Sequence, residues 1–552
     1  MTRVSDMEGT LSYRTVSDAT SAPRPRRFGG YAALVAAGIL LSRIAGLVRT
    51  RVMAHYLGNS RAADAFAAAL KVPNFLQNLF GEGVLSASFI PVYARTLARG
   101  DEKLAGRVAG VIASILLLVT SIIVLLGVLL TPWLIGLIAP GFEGSTRALT
   151  IRIVRILFPG TGLLVLSAWC LGILNSHRKF FLSYVAPVLW NAAMIATLVV
   201  FGTRLHENEL VVALAWGTVV GCALQFGVQV PFVFRYAKHL HFGLESNDEV
   251  REVFRTFGPV VVGRGVVQLS AYIDQILASY LPAGAVISLT YAQTIYLMPI
   301  SLFGMSVAAA ELPQMAGERE KLHGRLSRGL RQISFFVVPT IVAFIALGDL
   351  LIGAVLQTGK FTPDATRYVW YILAGSTVGL LAATLGRLYS SAFYALGDTR
   401  TPLKFAVARV ALTGALGYLF AFPLRPLIVG LIELLHLPLP RVEGGPLAIG
   451  AVGLTSSAGI AAWVEFLLLR RAMQKRIGPV DTAGTFELKL WIAGIVAGIA
   501  SVAVDRWLVR PHVHWIIAEA ALMCGFFGAV YFAAAFALGI TEVRSFLSRF
   551  RR

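Results

Sequence analysis

The run KVPNFLQNLFGEGVLS (71–86) places a Lys, a Glu, two Asn and a Gln inside a chain that is 57% hydrophobic. Its polar residues, with an aspartate seven positions earlier, recur in steps of three, four or seven, so on a helix they share one face. A charge at the centre of a bilayer costs at least about 2.5 kcal/mol by insertion scales. We therefore predict that this stripe faces a water-filled cavity; the alternative is a dry helix interface with Asn and Ser bonding across it. The stripe consists of Asp64, Lys71, Asn74, Asn78, Glu82 and Ser86.

Arginines that follow long apolar stretches could supply the opposite charge to this cavity. Arg43 and Arg49 lie deep in the first apolar stretch, and Arg264 lies inside the seventh. A guanidinium binds two phosphate oxygens at once, so arginines facing a cavity suit an anionic head group. Arg51 would point almost opposite to Arg49 on a regular helix, so we favour Arg43 and Arg49, with a bend at Gly46. For Arg264, an internal ion pair is the alternative.

The remaining polar and flexible positions suggest how such a cavity would work. The amides of Asn74, Gln77 and Asn78 could bond sugar or peptide groups, and Glu82 could pair with an arginine until a ligand binds. Like Lys71 of the stripe, five further positions are predicted to line the cavity or to let its helices bend: Pro73, Gly81, Gly83, Gln268 and Asp274.

Helices in a membrane must position these residues. Of the 552 residues only 14% are charged, against about a quarter in soluble domains. Apolar windows of about 20 residues recur, such as VIASILLLVTSIIVLLGVLL (111–130), and each is long enough to cross the bilayer. We predict an all-α polytopic membrane protein with about fourteen transmembrane helices, arranged as two parallel six-helix lobes plus two C-terminal helices.

A faint internal repeat supports the two lobes. LFG occurs at 79–81 and again at 302–304, each time after a proline (Pro73 and Pro299), and six predicted spans separate the copies. Transporters are often built from two such lobes with the substrate between them; chance similarity in apolar sequence is the alternative. The predicted parts are a disordered cytoplasmic tail at 1–27, a first lobe with spans 1–6 at 28–240, a second lobe with spans 7–12 at 241–480, and the last two spans with a basic cytoplasmic tail at 481–552.

The distribution of the net charge of +20 indicates how the chain is oriented in the membrane, and it does not indicate a nucleic-acid partner. Loops rich in Lys and Arg, such as 95–107 and 317–331, alternate with loops that are poor in them. This is the pattern of cytoplasmic and external loops, and it places both termini in the cytoplasm. The three cysteines stand apart and no metal-binding or nucleotide-binding motif occurs, so we predict neither a metal site nor an ATP-driven pump.

The segments SRIAGLVRTRVMAHYLG (42–58), KVPNFLQNLFGEGVLSASFIPVYA (71–94), QTGKFT (357–362) and FYALGDTRTPLK (393–404) resemble the MurJ/MviN family, the lipid II flippases of the MOP exporter superfamily. The resemblance implies that lipid II moves from the inner to the outer leaflet of the bacterial cytoplasmic membrane by alternating access, without covalent chemistry. It further implies a cavity built by spans 1, 2, 7 and 8, a lipid-tail groove near spans 13 and 14, and membrane lipids and cell-wall synthesis proteins as other partners.

Carried over by position, the family's cavity arginines match Arg43 and Arg49, and its second-span acids match Asp64 and Glu82. The chain departs from the family at several charged positions, and Arg264 is our hypothetical replacement for them. Family members often have Asp at Thr50, usually have Arg at Gln77 or Asn78, and have an acid–Arg pair at Gln293–Thr294.

The resemblance implies no cofactor and leaves the coupling ion open. Some members bind sodium through Asn and Asp on the eleventh span, where this chain has Arg409 and no carboxylate. The membrane potential could drive the export of an anion, at about 2.3 kcal/mol per charge per 100 mV. The alternatives are an exporter of another lipid-linked oligosaccharide or of cationic drugs and, in the enzyme class, an integral-membrane transferase.

Overall fold

A computed structural model describes residues 28–552 except 246, 318–321, 481–483, 514 and 544–552. Within the helices it describes only the backbone at 28–36, 82, 259–260, 262–271, 309, 313–314 and 316–317. The predicted tail at 1–27 therefore lies outside the described residues.

The described chain is built from helices, as its apolar windows predict. Their bounds are α1 (Phe28–Leu57), α2 (Arg61–Phe80), α3 (Glu82–Ala98), α4 (Glu102–Ile138), α5 (Gly144–Ser176), α6 (Phe180–Phe201), α7 (Glu207–Tyr236), α8 (Asp248–Ala278), α9 (Ala285–Pro299), α10 (Ser306–Gly317), α11 (Leu322–Ala346), α12 (Gly348–Leu356), α13 (Pro363–Ala395), α14 (Arg400–Ala421), α15 (Arg425–Leu434), α16 (Gly450–Ile477), α17 (Gly484–Val504) and α18 (Ile516–Ala537).

Eleven helices within the described ranges are long and apolar enough to cross a membrane. Three further elements have spanning length and are not among these eleven, namely α1, α2 with α3, and α8. These are the predicted first, second and seventh spans, which carry the candidate cavity charges. The all-helical polytopic class is confirmed, and the count of fourteen stays a prediction.

The helices pack in two groups, which we call the first half (α1–α7) and the second half (α8–α16). In the first half α5 packs on α2, α4 and α7, and α6 packs on α1 and α7. In the second half α16 packs on α13 and α14, where a Cβ added to Gly379 would collide with the backbone of Gly459. Such small residues let membrane helices approach closely. The halves meet where α8 packs on α2, α3 and α4, and α9 packs on α2; the predicted boundaries at 240 and 480 stay predictions.

The second predicted span is broken at Gly81. The helix α2 ends at Phe80, the Gly81 N–H donates to the Gln77 carbonyl oxygen at 2.7 Å, and α3 begins at Glu82. A Cβ at Gly81 would collide with that same carbonyl oxygen, which explains the glycine. The predicted polar stripe is therefore not continuous on one helix, because the backbone changes direction between Asn78 and Ser86. By contrast α1 runs through Gly46 without interruption.

The second LFG copy also lies at an irregularity. Ile300–Met305 forms a π-helical turn directly after Pro299, and the buried Gly304 faces the methyl group of Thr384. Both LFG copies therefore lie at an irregularity of the helical backbone. The first lies at the break between α2 and α3, and the second lies in the π-helical turn between α9 and α10. Turns of this kind inside helices are frequent at functional sites.

Candidate functional site

Asp64 joins the two halves. Its carboxylate accepts hydrogen bonds from the N–H of Gly284 at 2.6 Å and the N–H of Ile287 at 2.7 Å, at the beginning of α9. The first N–H groups of a helix lack partners within it and favour a negative charge, so Asp64 caps α9. Asp64 is only 3% exposed. In this structure both oxygens of Asp64 are occupied by backbone N–H groups at the beginning of α9, and its place in a water-filled cavity stays a prediction.

Other polar contacts gather around this cap, at what we call the contact end: the end of the bundle where α1 finishes and α9 begins. Arg61 pairs with Glu443, and Lys360 pairs with Glu207 at 2.7 Å. The His55 ring bonds the Thr358 hydroxyl at 2.8 Å. Three separate segments of the second half thus reach the first half at one end of the bundle. At the opposite end an ion pair of exposed side chains, Arg95 with Glu252, joins α3 to α8.

The arginines of α1 point to different neighbours, as their helical angles predict. Arg51 donates to the carbonyl oxygens of Ala354 at 2.7 Å and Val355 at 2.9 Å, and so caps the end of α12. The guanidinium of Arg49 lies 5.0 Å from the ring centroid of Trp190 on α6, and its Nε is buried without a partner in the described part of the chain. Arg43 is exposed.

A polar cavity of about 140 Å³ lies between α2 and five helices of the second half. Lys71 enters it from α2 and Asp274 from α8, while Arg409 on α14 pairs with Glu465 on α16 at 2.9 Å. The lining residues are Lys71, Asp274, Gln275, Leu289, Gln293, Tyr296, Ser376, Arg409, Thr455, Ala458 and Gly459. Two predicted positions, Lys71 and Asp274, therefore converge.

An apolar cavity of about 590 Å³ lies beside the polar one, also between the halves. Hydrocarbon side chains of α2, α4, α5, α8 and α14 line it, among them Phe75, Leu126 and Val410. The Tyr272 hydroxyl donates to the Lys71 carbonyl oxygen at 2.8 Å, at the border of the two cavities. The resemblance implies a lipid-tail groove near spans 13 and 14, which stays a prediction.

The other predicted site residues are not gathered at one point. Asn74 and Gln77 are half-buried, whereas Asn78 and Ser86 are exposed; Pro73 lies inside α2 and Gly83 inside α3. The side chains of Glu82, Arg264 and Gln268 lie outside the described ones. The hypothesis that Arg264 replaces the missing family charges therefore stays untested.

Glu465 is a half-buried functional candidate that was not among the predicted site residues. The signal was available, because this carboxylate stands alone in the apolar stretch AAWVEFLLL (461–469), where an acid needs a partner. Its partner Arg409 is 56 residues earlier, and only the packing of α14 on α16 reveals the pair. Within the described ranges no group of three or more His, Cys, Asp or Glu side chains could hold a metal ion.

Comparison with known proteins agrees with this arrangement. The family model described as "Lipid II flippase MurJ" matches residues 53–436. The chain belongs to this family. It is 28% identical to "Probable lipid II flippase MurJ" of Rhizobium meliloti, over 92% of this chain and 93% of that protein. It is also 28% identical to "Lipid II flippase MurJ" of Burkholderia cenocepacia, over 91% and 95%.

Solved structures show the same fold. The chain matches "Lipid II flippase MurJ, inward closed conformation" with a TM-score of 0.74 at 22% identity, covering 92% of this chain and 99% of that one. An inward-facing multidrug resistance MATE transporter of the MOP superfamily matches with a TM-score of 0.62 at 17% identity, covering 80% and 98%. The family confirms the prediction of a multi-pass membrane transporter, in place of an enzyme.

Proposed function

We propose that this protein is a lipid II flippase, which moves lipid II from the inner to the outer leaflet of the bacterial cytoplasmic membrane by alternating access. The substrate comes from the printed names of the curated bacterial relatives, which align with almost the whole chain. The observation that carries the mechanism is the Asp64 cap on α9, a buried polar contact that joins the halves at the contact end.

The two ends differ in the strength of their contacts, and this supports alternating access. A hydrogen bond to a charged group contributes about 1.5–3 kcal/mol, and Asp64 makes two from a buried position. The Arg95–Glu252 pair at the opposite end is about half exposed, and such pairs contribute at most about 1 kcal/mol. The opposite end therefore opens more readily while the contact end stays closed.

The direction follows from charge. The loops rich in Lys and Arg, 95–107 and 175–180 among them, leave the helices at the end opposite Asp64. By the positive-inside rule that end is cytoplasmic and the contact end is external. A head group would then enter from the cytoplasm and leave when the Asp64 cap breaks. Both chain termini would lie in the cytoplasm.

The charges of α1 suit an anionic head group. Arg43 is exposed, and Arg49 has a buried Nε without a described partner, so each can still donate a hydrogen bond to a phosphate oxygen. In this proposal Arg264 and the amides of Asn74 and Gln77 complete the site. The membrane potential favours outward movement of an anion by about 2.3 kcal/mol per charge per 100 mV. We propose no cofactor, and cell-wall synthesis proteins remain candidate partners.

The apolar cavity offers the lipid tail a path between the halves. Its lining is nearly all hydrocarbon and comes from both halves, so an isoprenoid chain could stay in contact with the bilayer while the head group crosses. This path is an alternative to the groove near α17 and α18 that the resemblance implies.

A second candidate substrate is another lipid-linked oligosaccharide. The observation that favours it is the loss of the family's acid–Arg pair, because Gln293 and Thr294 are uncharged. A site with fewer charges would hold a different glycan equally well.

Complementation tests the proposal. Cells depleted of their own lipid II flippase would express the wild type or the variants Arg43→Ala, Arg49→Ala, Glu82→Ala and Arg264→Ala at matched levels, with Asp349→Asn as a control on the distant α12. We expect the wild type and the control to restore growth and the cleavage of lipid II by an enzyme added outside the cells. Failure of Arg43→Ala and Arg264→Ala would support their role in binding.

Two other outcomes would change the proposal. If the Arg264→Ala variant restores growth, the proposed flippase function stands, and Arg264 is excluded as the replacement for the missing family charges. No rescue by well-expressed wild type, in hosts where a close relative does rescue, would instead favour another lipid-linked glycan.

A further inference from the structure

The polar cavity contains a carboxylate oxygen that has no hydrogen-bond partner among the described residues. Asp274 Oδ1 is buried and accepts no hydrogen bond from any described residue. Arg409, which lines the same cavity, is already paired with Glu465 at 2.9 Å. Lys71 faces the cavity from α2, but no ion pair within 4.0 Å joins it to Asp274 among the described side chains. A buried carboxylate without a hydrogen bond is costly, so Asp274 needs a positive neighbour in each state of the protein.

We propose that Asp274 exchanges a proton during transport, and that proton entry is coupled to lipid export. The inference rests on the proposed function and adds a coupling ion to it. In this cycle Lys71 and the proton take turns as the positive neighbour of Asp274.

The coupling follows from the place of Lys71 on α2. Lys71 lies seven residues after Asp64, about two helical turns along the same face, so α2 carries both the cap at the contact end and the cavity cation. Asp274 lies on α8, in the other half, and the Tyr272 hydroxyl is what binds α8 to the Lys71 carbonyl oxygen. When the Asp64 cap breaks and the halves separate at the contact end, Lys71 moves away from Asp274.

In each cycle Asp274 takes one proton from outside and releases it toward the cytoplasm. With the contact end open, Asp274 faces external water, and a proton from it forms an O–H bond with the carboxylate. When the contact end closes, Lys71 returns, and its charge favours the ionised carboxylate. The O–H bond breaks and the proton leaves toward the cytoplasm. One positive charge enters for each lipid that leaves.

The charged groups around the cavity favour a proton over a metal ion. Lys71 on α2 and Arg409 on α14 line the cavity with Asp274, and Arg387 on α13 lies near Arg409 and its partner Glu465 on α16. A metal ion would be repelled by these cations. The same cavity wall has a Tyr296 hydroxyl from α9 and neutral amides. On α8 itself, the Arg264 and Gln268 side chains are not among the described ones. At about 140 Å³ the cavity has room for a few waters, which can carry a proton.

The test uses the purified full-length protein in liposomes with fluorescently labelled lipid II. The membrane potential is held at zero with equal potassium on both sides and valinomycin, while a pH difference is imposed. A cycle of one proton per lipid predicts that one pH unit shifts the distribution of the lipid tenfold toward the acidic side. Asp274→Asn should remove this shift and still move lipid under an imposed potential, whereas Asp274→Glu and the control Asp349→Asn should keep it.

Each of the other outcomes would overturn one part of the proposal. If the wild type responds to the potential but not to the pH difference, proton coupling is wrong and the flippase proposal stands. If Asp274→Asn keeps the tenfold shift, the proton binds elsewhere. If neither gradient moves lipid II in wild-type liposomes, the proposed function itself fails.

Discussion

Asp64 accepts a hydrogen bond of 2.6 Å from the backbone N–H of Gly284, which lies 220 residues later in the chain and in the other half of the molecule. The N-terminus of α9 is thereby held against α2. Gly284 has a φ of +88°, a conformation that favours glycine, and a Cβ there would collide with Asn59. The geometry of this contact therefore depends on both residues.

Asp64→Ala should open the contact end. The substitution removes two charge-assisted hydrogen bonds, which together contribute at least about 3 kcal/mol. A cysteine placed at Asn59, in a chain with the exposed Cys524 replaced by Ser, would report this through its rate of labelling by a membrane-impermeant thiol reagent. We expect at least a tenfold faster labelling in Asp64→Ala. Asp364→Asn, at the start of α13, is the control, and an unchanged rate in Asp64→Ala would contradict the role of the cap.

Arg51→Ala should destabilise the fold more than Arg43→Ala. Arg51 donates to two carbonyl oxygens at the end of α12, and its loss leaves them without that donor. The expected cost is about 1–3 kcal/mol. Arg43 on the same helix is exposed, so its substitution should leave the thermal midpoint in detergent unchanged. Equal midpoints for the two variants would show that the α12 cap contributes nothing to stability.

Gly81→Ala should impair transport more than Gly46→Ala. An added Cβ at Gly81 meets the Gln77 carbonyl oxygen, so the junction of α2 and α3 must shift, whereas nothing lies within 4 Å of a Cβ at Gly46. We expect complementation to fall at least tenfold for Gly81→Ala at matched expression and to persist for Gly46→Ala. Full activity of both variants would mean that the break at Gly81 has no part in the transport cycle.

Asp398 should make stability depend on pH at the beginning of α14, outside the spans. The Thr401 N–H and hydroxyl donate to its carboxylate, Arg476 pairs with it, and these contacts lower the pKa of Asp398 from 3.8 to about 2. A lowered folded-state pKa stabilises the fold above pH 3.8, and this contribution is lost as the pH falls toward 2.

The measurement is the thermal midpoint in detergent across this range. Asp398→Asn should lower the midpoint at pH 7, and its difference from the wild type should shrink between pH 4 and pH 2. The exposed Glu433→Gln on α15 serves as control and should change nothing at pH 7. A difference that stays constant down to pH 2 would mean that the ionised carboxylate is not what stabilises this turn.

The sequence by itself determined the class of the protein and the positions of its helices. Apolar windows of spanning length predict membrane helices because an unpaired backbone group is too costly in hydrocarbon, and α4, α5 and α13 occur where these windows lie. Helical angles also separated Arg49 from Arg51, and the structure sends them to α6 and α12. Both results depend only on local geometry. The motifs of 42–58 and 71–94 also indicated the family, because a sequence motif can be recognised without knowing which residues it contacts in the fold.

Only the tertiary structure decided which polar groups meet. Asp64 belonged to the predicted stripe by its spacing, yet it binds α9, because a capping partner is set by packing and not by position along α2. The break at Gly81 likewise lies in the backbone torsion of that residue, with ψ at −144°, which helical periodicity does not register. Lys71, Asp274 and Arg409 come from three helices, and their convergence around one small cavity follows from how the halves pack. An unpaired charge in a membrane is costly, so the sequence predicts that each such charge has a partner. Which residue that partner is depends on the tertiary structure.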